Sequence, residues 1–234
     1  MVHAEGVEGA RSARGVAVVI DVLRAFTVSA YALAGGATEC RLVETVERAR
    51  DLAGELPDAV LSAEVDGLPV PGVPISNSPA MIREADLRGR VLVQRTTSGV
   101  QAALAARACD QVVAGALVVA GATARLIRSL GPEVVTLVAT AAPLGHPEDR
   151  ACADLLEALL LGRRPPDLDQ LLAPLRRSDR YRRLRAGLQP GFPPADLDLA
   201  LAPDTFDFAM PLEALPGRPE LRLVSWRPAF MEGG

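Results

Sequence analysis

A chain of 234 residues can bury a sizeable core, and with 49% hydrophobic but only 3% aromatic residues that core must be aliphatic. The net charge is −4 and all 25 basic residues are arginine, which leaves no overall footprint for nucleic acid and excludes a lysine Schiff base or a phosphate-loop lysine. No apolar run approaches the roughly 18 residues of a membrane span, and Cys40, Cys109 and Cys152 lack the spacing of a disulfide framework or a zinc site.

Residues 1–13 hold acids and no apolar core, so they do not read as a signal peptide, and a flexible leader is expected. A reduced, cytoplasmic protein fits these features. From residue 14 onward, apolar runs of strand length alternate with helical patterns. The predicted strands are Val16–Val22, Ala59–Ala63, Val91–Arg95, Gln111–Ala114 and Val134–Ala139. The predicted helices are Ala25–Ala34, Val46–Leu52, Thr97–Ala106, Ala120–Leu130 and Pro147–Leu161. Such alternation builds βαβ units, a mostly parallel sheet covered by helices on both faces. Strands that are apolar throughout agree with burial on both sides. The fold class is therefore α/β, three layers deep.

Composition changes after Leu161. Residues 163–190 form an Arg-rich segment with eight arginines between Arg163 and Arg185. It reads as two short solvated helices, with an anion-binding face as the sharper alternative. Leu197–Leu201, Phe206–Met210 and Leu221–Trp226 look like short strands returning to the same body. One domain over residues 14–226 is expected, with a tail over 227–234. Apolar helices such as "ACADLLEALLLG" suit either the core or pairing with a second copy of the chain.

In such sheets ligands bind outside the carboxyl ends of the strands, and four polar clusters fall there. Asp21 and Arg24 close the first strand, Glu64 follows "DAVLSA", "RTTSG" (Arg95–Gly99) closes "RVLVQ", and Glu148 and Asp149 open the helix after "VVTLVAT". Each also has a structural reading. Asp21, Thr96, Thr97 and Ser98 can be helix caps, and Glu148 and Asp149 can be first-turn acids favoured by the helix dipole. "SNSPA" combines an N-cap, Ser78, with Pro79 at the first helical position. Together, carboxylates without a His or Cys cluster favour a hard cation, Mg2+ before zinc. Hydroxyl-bearing helix starts and isolated arginines favour phosphate. Those parts suit phosphoryl transfer to water.

The stretches "VVIDVLRAFT", "NSP", "RTTSG" and "PED", in this order and spacing, resemble the 2-phosphosulfolactate phosphatases, over about Val16 to Pro211. From Glu64 through Gly72 to Asn77-Ser78-Pro79 the spacing is similar without a gap. Asp196 and Asp204 fall where that family has two aspartates eight apart, and "FDFAMPL" resembles its closing strand. The chain departs at Val65-Asp66, where the family has Arg-Gly. It departs again at "TTSGV" in place of "TTNGT", and at Ala200 and Ala202 in place of Cys and Gln. The metal and phosphate parts match better than the specificity parts.

The resemblance implies a Mg2+-dependent enzyme of coenzyme M biosynthesis with a three-layer α/β/α fold, releasing phosphate from a small anionic ester to leave sulfolactate. Under it Asp21, Glu64 and Asp149 hold the metal, Asp149 alternatively acting as base. Asn77, Ser78, Thr96, Thr97 and Ser98 cradle the phosphoryl oxygens, Arg24 neutralises developing charge, and Arg95 meets the substrate's other anions. Two further readings stay open: a phosphatase for another small phosphorylated acid, and a non-catalytic anion-binding protein on the same scaffold.

Overall fold

The computed structural model describes residues 1–140 and 146–228. Most of the expected helices and strands form close to their predicted places. Strand β2 (Val16–Ile20) is buried at every position, β7 (Gln111–Gly115) at all but its first, and β8 (Val135–Ala139) throughout. Strands β4 (Val60–Val65) and β6 (Val91–Arg95) are mostly buried as well. β-Branched residues that cannot reach water on either face belong in the middle of a covered sheet.

The covering is visible in how β2 divides its side chains. Val16, Val18 and Ile20 enter one core with α6 (Ala120–Leu130) and α7 (Pro147–Leu160). Ala17 and Val19 enter the opposite core with α2 (Ala25–Ala34) and α5 (Gly99–Ala105). A smaller cluster seats α3 (Val46–Glu55) on β6 through Ala49, Leu52 and Val93. Helix, sheet and helix make three layers, as expected.

The strand order is β1 (Val2–Glu5), β8, β2, β7, β9 (Met210–Ala214), β10 (Leu221–Leu223), β3 (Glu39–Leu42), β6, β4 and β5 (Leu68–Pro69). Two parallel blocks, β1-β8-β2-β7 and β3-β6-β4, flank an antiparallel pair made by β9 (Met210–Ala214) and β10 (Leu221–Leu223). The C-terminal strands thus return to the sheet and join its two halves. Strand β5 (Leu68–Pro69) forms a hairpin on β4 through the turn Asp66-Gly67. Both turn residues have positive φ, 52° and 75°, a geometry that aspartate tolerates and glycine adopts freely.

The structure corrects the sequence reading at several places. The leader is not loose: β1 (Val2–Glu5) pairs in parallel with β8, Val2 opposite Thr136 through Glu5 opposite Ala139, and α1 (Gly6–Arg11) follows. Backbone hydrogen bonds to an open sheet edge hold this segment, with Ala10 buried beneath it, so it needs no apolar run. Strand β3 (Glu39–Leu42) escapes the sequence reading because its polar and apolar residues alternate, with only Cys40 and Leu42 buried. Leu197–Leu201 is not a strand. It lies mostly in helix α10 (Ala195–Ala200), where Leu197 and Ala200, three apart, share the buried face. Of Phe206–Met210 only Met210 is in a strand.

The Arg-rich segment forms α8 (Leu168–Arg177) and α9 (Asp179–Arg185), anchored by Leu172, Leu175 and Leu184 in the α6–α7 core. Most of the expected tail lies outside the described residues. Among the described residues no helix is long and apolar enough to cross a membrane, and the three cysteines are unpaired.

Candidate active site

Strand β2 stops at Ile20, and the next residue turns its carboxylate back onto the following helix. Asp21 Oδ1 accepts the Ala25 N–H at 3.0 Å, as a cap does. Oδ2 takes no hydrogen bond among the described residues. It has room because Gly99 packs against it: a Cβ there would stand 2.6 Å from Oδ2 and 2.7 Å from Ala25 Cβ. Asp149, in the first turn of α7, reaches the same turn from the other side. It accepts the Val22 N–H at 2.8 Å and the Thr140 hydroxyl at 3.2 Å. Both acids are buried. Burial, reinforced by Asp149 and slightly by Glu64, pushes Asp21 up to about 7. Burial likewise pushes Asp149 up to about 7 against the pull of its hydrogen bonds.

Glu64, next to last in β4, organises two turns. Its Oε1 accepts the Thr97 N–H at 2.5 Å, while Oε2 accepts the Gly67 N–H at 2.6 Å and the Thr97 hydroxyl at 3.2 Å. Together these groups border a cleft of about 340 Å³ whose wall includes Asp21, Arg24, Glu64, Asn77, Thr97 and Ser98. Three of the four expected strand-end clusters therefore border one cleft, and the fourth reaches the Asp21 turn through Asp149.

Other expected residues have structural duties. Ser78 caps α4 (Pro79–Glu84) by accepting the Met81 N–H and donates its hydroxyl to Asp196 Oδ1 at 2.8 Å. Thr96 accepts the Val100 N–H at the start of α5. Arg95 lies outside the cleft wall, its guanidinium donating to the Glu64 and Glu44 carbonyls. Arg24 follows a cis Leu23–Arg24 peptide and is 4% exposed. Its Nη1 donates to Asp196 Oδ2 at 2.8 Å and to the Gly191 carbonyl at 2.7 Å, and its guanidinium lies 4.2 Å from the Phe192 ring centre. Arg24, the cation expected to neutralise phosphate, thus borders the cleft while forming a buried ion pair with Asp196.

Among the described residues no three His, Cys, Asp or Glu side chains are arranged to hold a metal ion, and Glu64 is occupied by the turns it organises.

Sequence reasoning missed His146, Arg180, Gln189 and Phe192 on the wall. His146 Nδ1 lies 3.8 Å from both Glu148 Oε1 and Asp149 Oδ2 and is buried with no hydrogen-bond partner among the described residues. Burial and then Arg180 hold this imidazole below its ordinary value, which favours its neutral form. The one signal available was its position, directly before Pro147-Glu148-Asp149.

Covered parallel strands that end in buried acids, with hydroxyls and an amide across a shared cleft, define an α/β protein with a polar strand-end site. The chain belongs to the 2-phosphosulpholactate phosphatase family, whose model matches residues 2–211. It is 36% identical over 146 residues to a probable 2-phosphosulfolactate phosphatase of Bacillus subtilis, covering 62% of this chain and 64% of that one. Proteins of the same name from Deinococcus radiodurans and Thermus thermophilus are each 40% identical over 124 residues, 53% of this chain and 52% of theirs. The chain thus spans about half to just under two thirds of the length of these relatives.

Proposed function

We propose that this protein is a Mg2+-dependent phosphatase that hydrolyses the phosphate monoester of a small sulfonated acid, converting 2-phosphosulfolactate to sulfolactate and phosphate. The observation that carries the reading is the Asp21–Asp149 pair. Two buried carboxylates approach one turn with Asp21 at the cleft wall, and burial holds both near 7. Mg2+ binds through one or two carboxylates and keeps the rest of its shell for water and substrate phosphate, so the pair fits it without a third protein acid. Bound there, the ion would neutralise charge on the phosphoryl group.

The chain's own groups do the rest. Asn77 and Ser98 offer donors to the phosphoryl oxygens from the facing wall, and such preorganised donors are commonly worth on the order of 10²–10³ in rate. Neutral His146 takes the proton from the attacking water as the ester P–O bond breaks and the leaving oxygen acquires a proton from solvent. Arg24 positions rather than neutralises: through Asp196 it ties the Asp21 turn to α4 and α10.

Phosphate release from a panel of small monoesters, phosphosulfolactate included, tests this with and without Mg2+. Metal-dependent turnover is expected, with a loss on the order of 10²-fold or more in Asp21→Asn. Folded protein that releases no phosphate from any ester with Mg2+ present would overturn it.

A further inference from the structure

The Arg-rich segment contributes one guanidinium to the cleft. Arg180 sits in the first turn of α9, where Ser178 accepts the Tyr181 N–H at 3.0 Å and Leu184 anchors the helix in the core. Its Nη1 donates to Glu148 Oε1 at 2.7 Å, its one hydrogen bond among the described residues, while 30% of the side chain stays exposed along the cleft. A guanidinium carries five N–H donors in a planar fork, so most of its donors remain for a ligand.

The rest of the wall makes this position distinctive. Arg24 is the other arginine there, and it is spent on Asp196, Gly191 and Phe192. The remaining charged wall residues include Asp21, Glu64 and Asp66. A polyanionic ester entering among carboxylates is repelled unless each anion meets a cation. With the phosphate end directed to Asp21 and Asp149, a second anion on the same small molecule has one fixed cation to meet among the described wall residues. The Glu148 side chain is itself fully buried and holds the guanidinium from behind.

We infer that Arg180 reads the second anionic group of the substrate, a sulfonate or carboxylate carried beside the phosphate ester. This rests on the phosphatase reading and adds a specificity-determining residue to it. The fork pairs with two oxygens of such a group, which an ammonium cannot reproduce.

The test compares wild type, Arg180→Gln and Arg180→Lys on phosphosulfolactate, phospholactate and p-nitrophenyl phosphate. It is paired with calorimetric titration of sulfolactate. Losing a charged hydrogen-bonding partner is expected to raise KM for phosphosulfolactate by roughly 10–100-fold in Arg180→Gln. The loss on p-nitrophenyl phosphate, which has no second anion, is at least tenfold smaller, and Arg180→Lys recovers part of the difference. A matching loss on phospholactate assigns the carboxylate to Arg180; a loss confined to phosphosulfolactate assigns the sulfonate.

Equal losses on all three esters, or KM and sulfolactate affinity both within threefold of wild type, would overturn the assignment. Sulfolactate binding that depends on Arg180 without turnover of any ester would sink the phosphatase reading and leave Arg180 standing. Wild type that neither binds sulfolactate nor turns over an ester overturns both. Should Arg180→Gln unfold by leaving Glu148 unpaired, Arg180→Gln combined with Glu148→Gln carries the same measurements.

Discussion

Removing the charge of Asp21 is expected to stabilise the metal-free protein at neutral pH while disabling it. The folded value of about 7 lies above the ordinary value of 3.8, so the folded state keeps its proton longer than the unfolded chain. The site's contribution to stability is therefore whole below about pH 4 and is lost as the pH rises to about 7. Holding the proton over that interval corresponds to roughly 4 kcal/mol. The amide introduced by Asp21→Asn keeps an oxygen for the Ala25 N–H, so most of that penalty should be relieved. Denaturant titration in chelator is expected to show Asp21→Asn more stable than wild type by about 2–4 kcal/mol at pH 7.5. The advantage should shrink steadily toward pH 4. Adding Mg2+ should raise the melting temperature of wild type, by mass action, and leave the variant nearly unmoved. A variant less stable than wild type at pH 7.5, or an advantage independent of pH, would refute the reasoning.

Asp196→Ala leaves the Arg24 guanidinium, the Ser78 hydroxyl and the Ala80 N–H without their acceptor. Breaking such a buried pair should cost about 3–5 kcal/mol, and a loss under about 1 kcal/mol by denaturant titration would contradict the described role. Gly99→Ala drives a methyl against Asp21 Oδ2 and Ala25. A destabilisation of about 1–3 kcal/mol is expected, together with loss of Mg2+-dependent turnover; full activity would show that the turn can give way. Glu64→Gln replaces one acceptor oxygen with a donor, so either Thr97 or Gly67 loses its partner. Hydrogen exchange at those two amides should quicken, with a stability loss of about 1–3 kcal/mol, and unchanged protection at both would count against Glu64 as the organiser.

What was legible in the sequence follows from how each element is held. The run Val16–Ile20 could only be a doubly covered strand, and the acid ending it sits where a carboxylate can face a cleft. Ala120–Leu130 read to the residue because its burial is periodic and Gly131 stops it, and Ala25–Ala34 because Gly35 ends a run of helix formers. Strands β1 and β3 were opaque for the opposite reason: their place is set by ladder bonds to β8 and to β6 and β10. In α10 the spacing of Leu197, Leu199 and Leu201 imitated a strand. At the site, residues adjoining strand ends were visible and residues brought from afar were not. Arg180 is one of eight arginines in its segment, and only the docking of α9 distinguishes it. Arg24 looked available because its partner, Asp196, lies far along the chain.

That last distance has a consequence for how the molecule is made. Arg24 and Asp196 are 172 residues apart. At a synthesis rate of about 5–20 residues per second, the arginine waits roughly nine to thirty-four seconds for its carboxylate. In that interval β2 and its neighbours can exist, but the turn carrying Asp21 has a cation that cannot be buried alone. A nascent or truncated chain lacking residue 196 therefore keeps this turn open and within reach of proteases, whereas a chain extended past it can close. The ion pair links the shaping of the site to progress along the message.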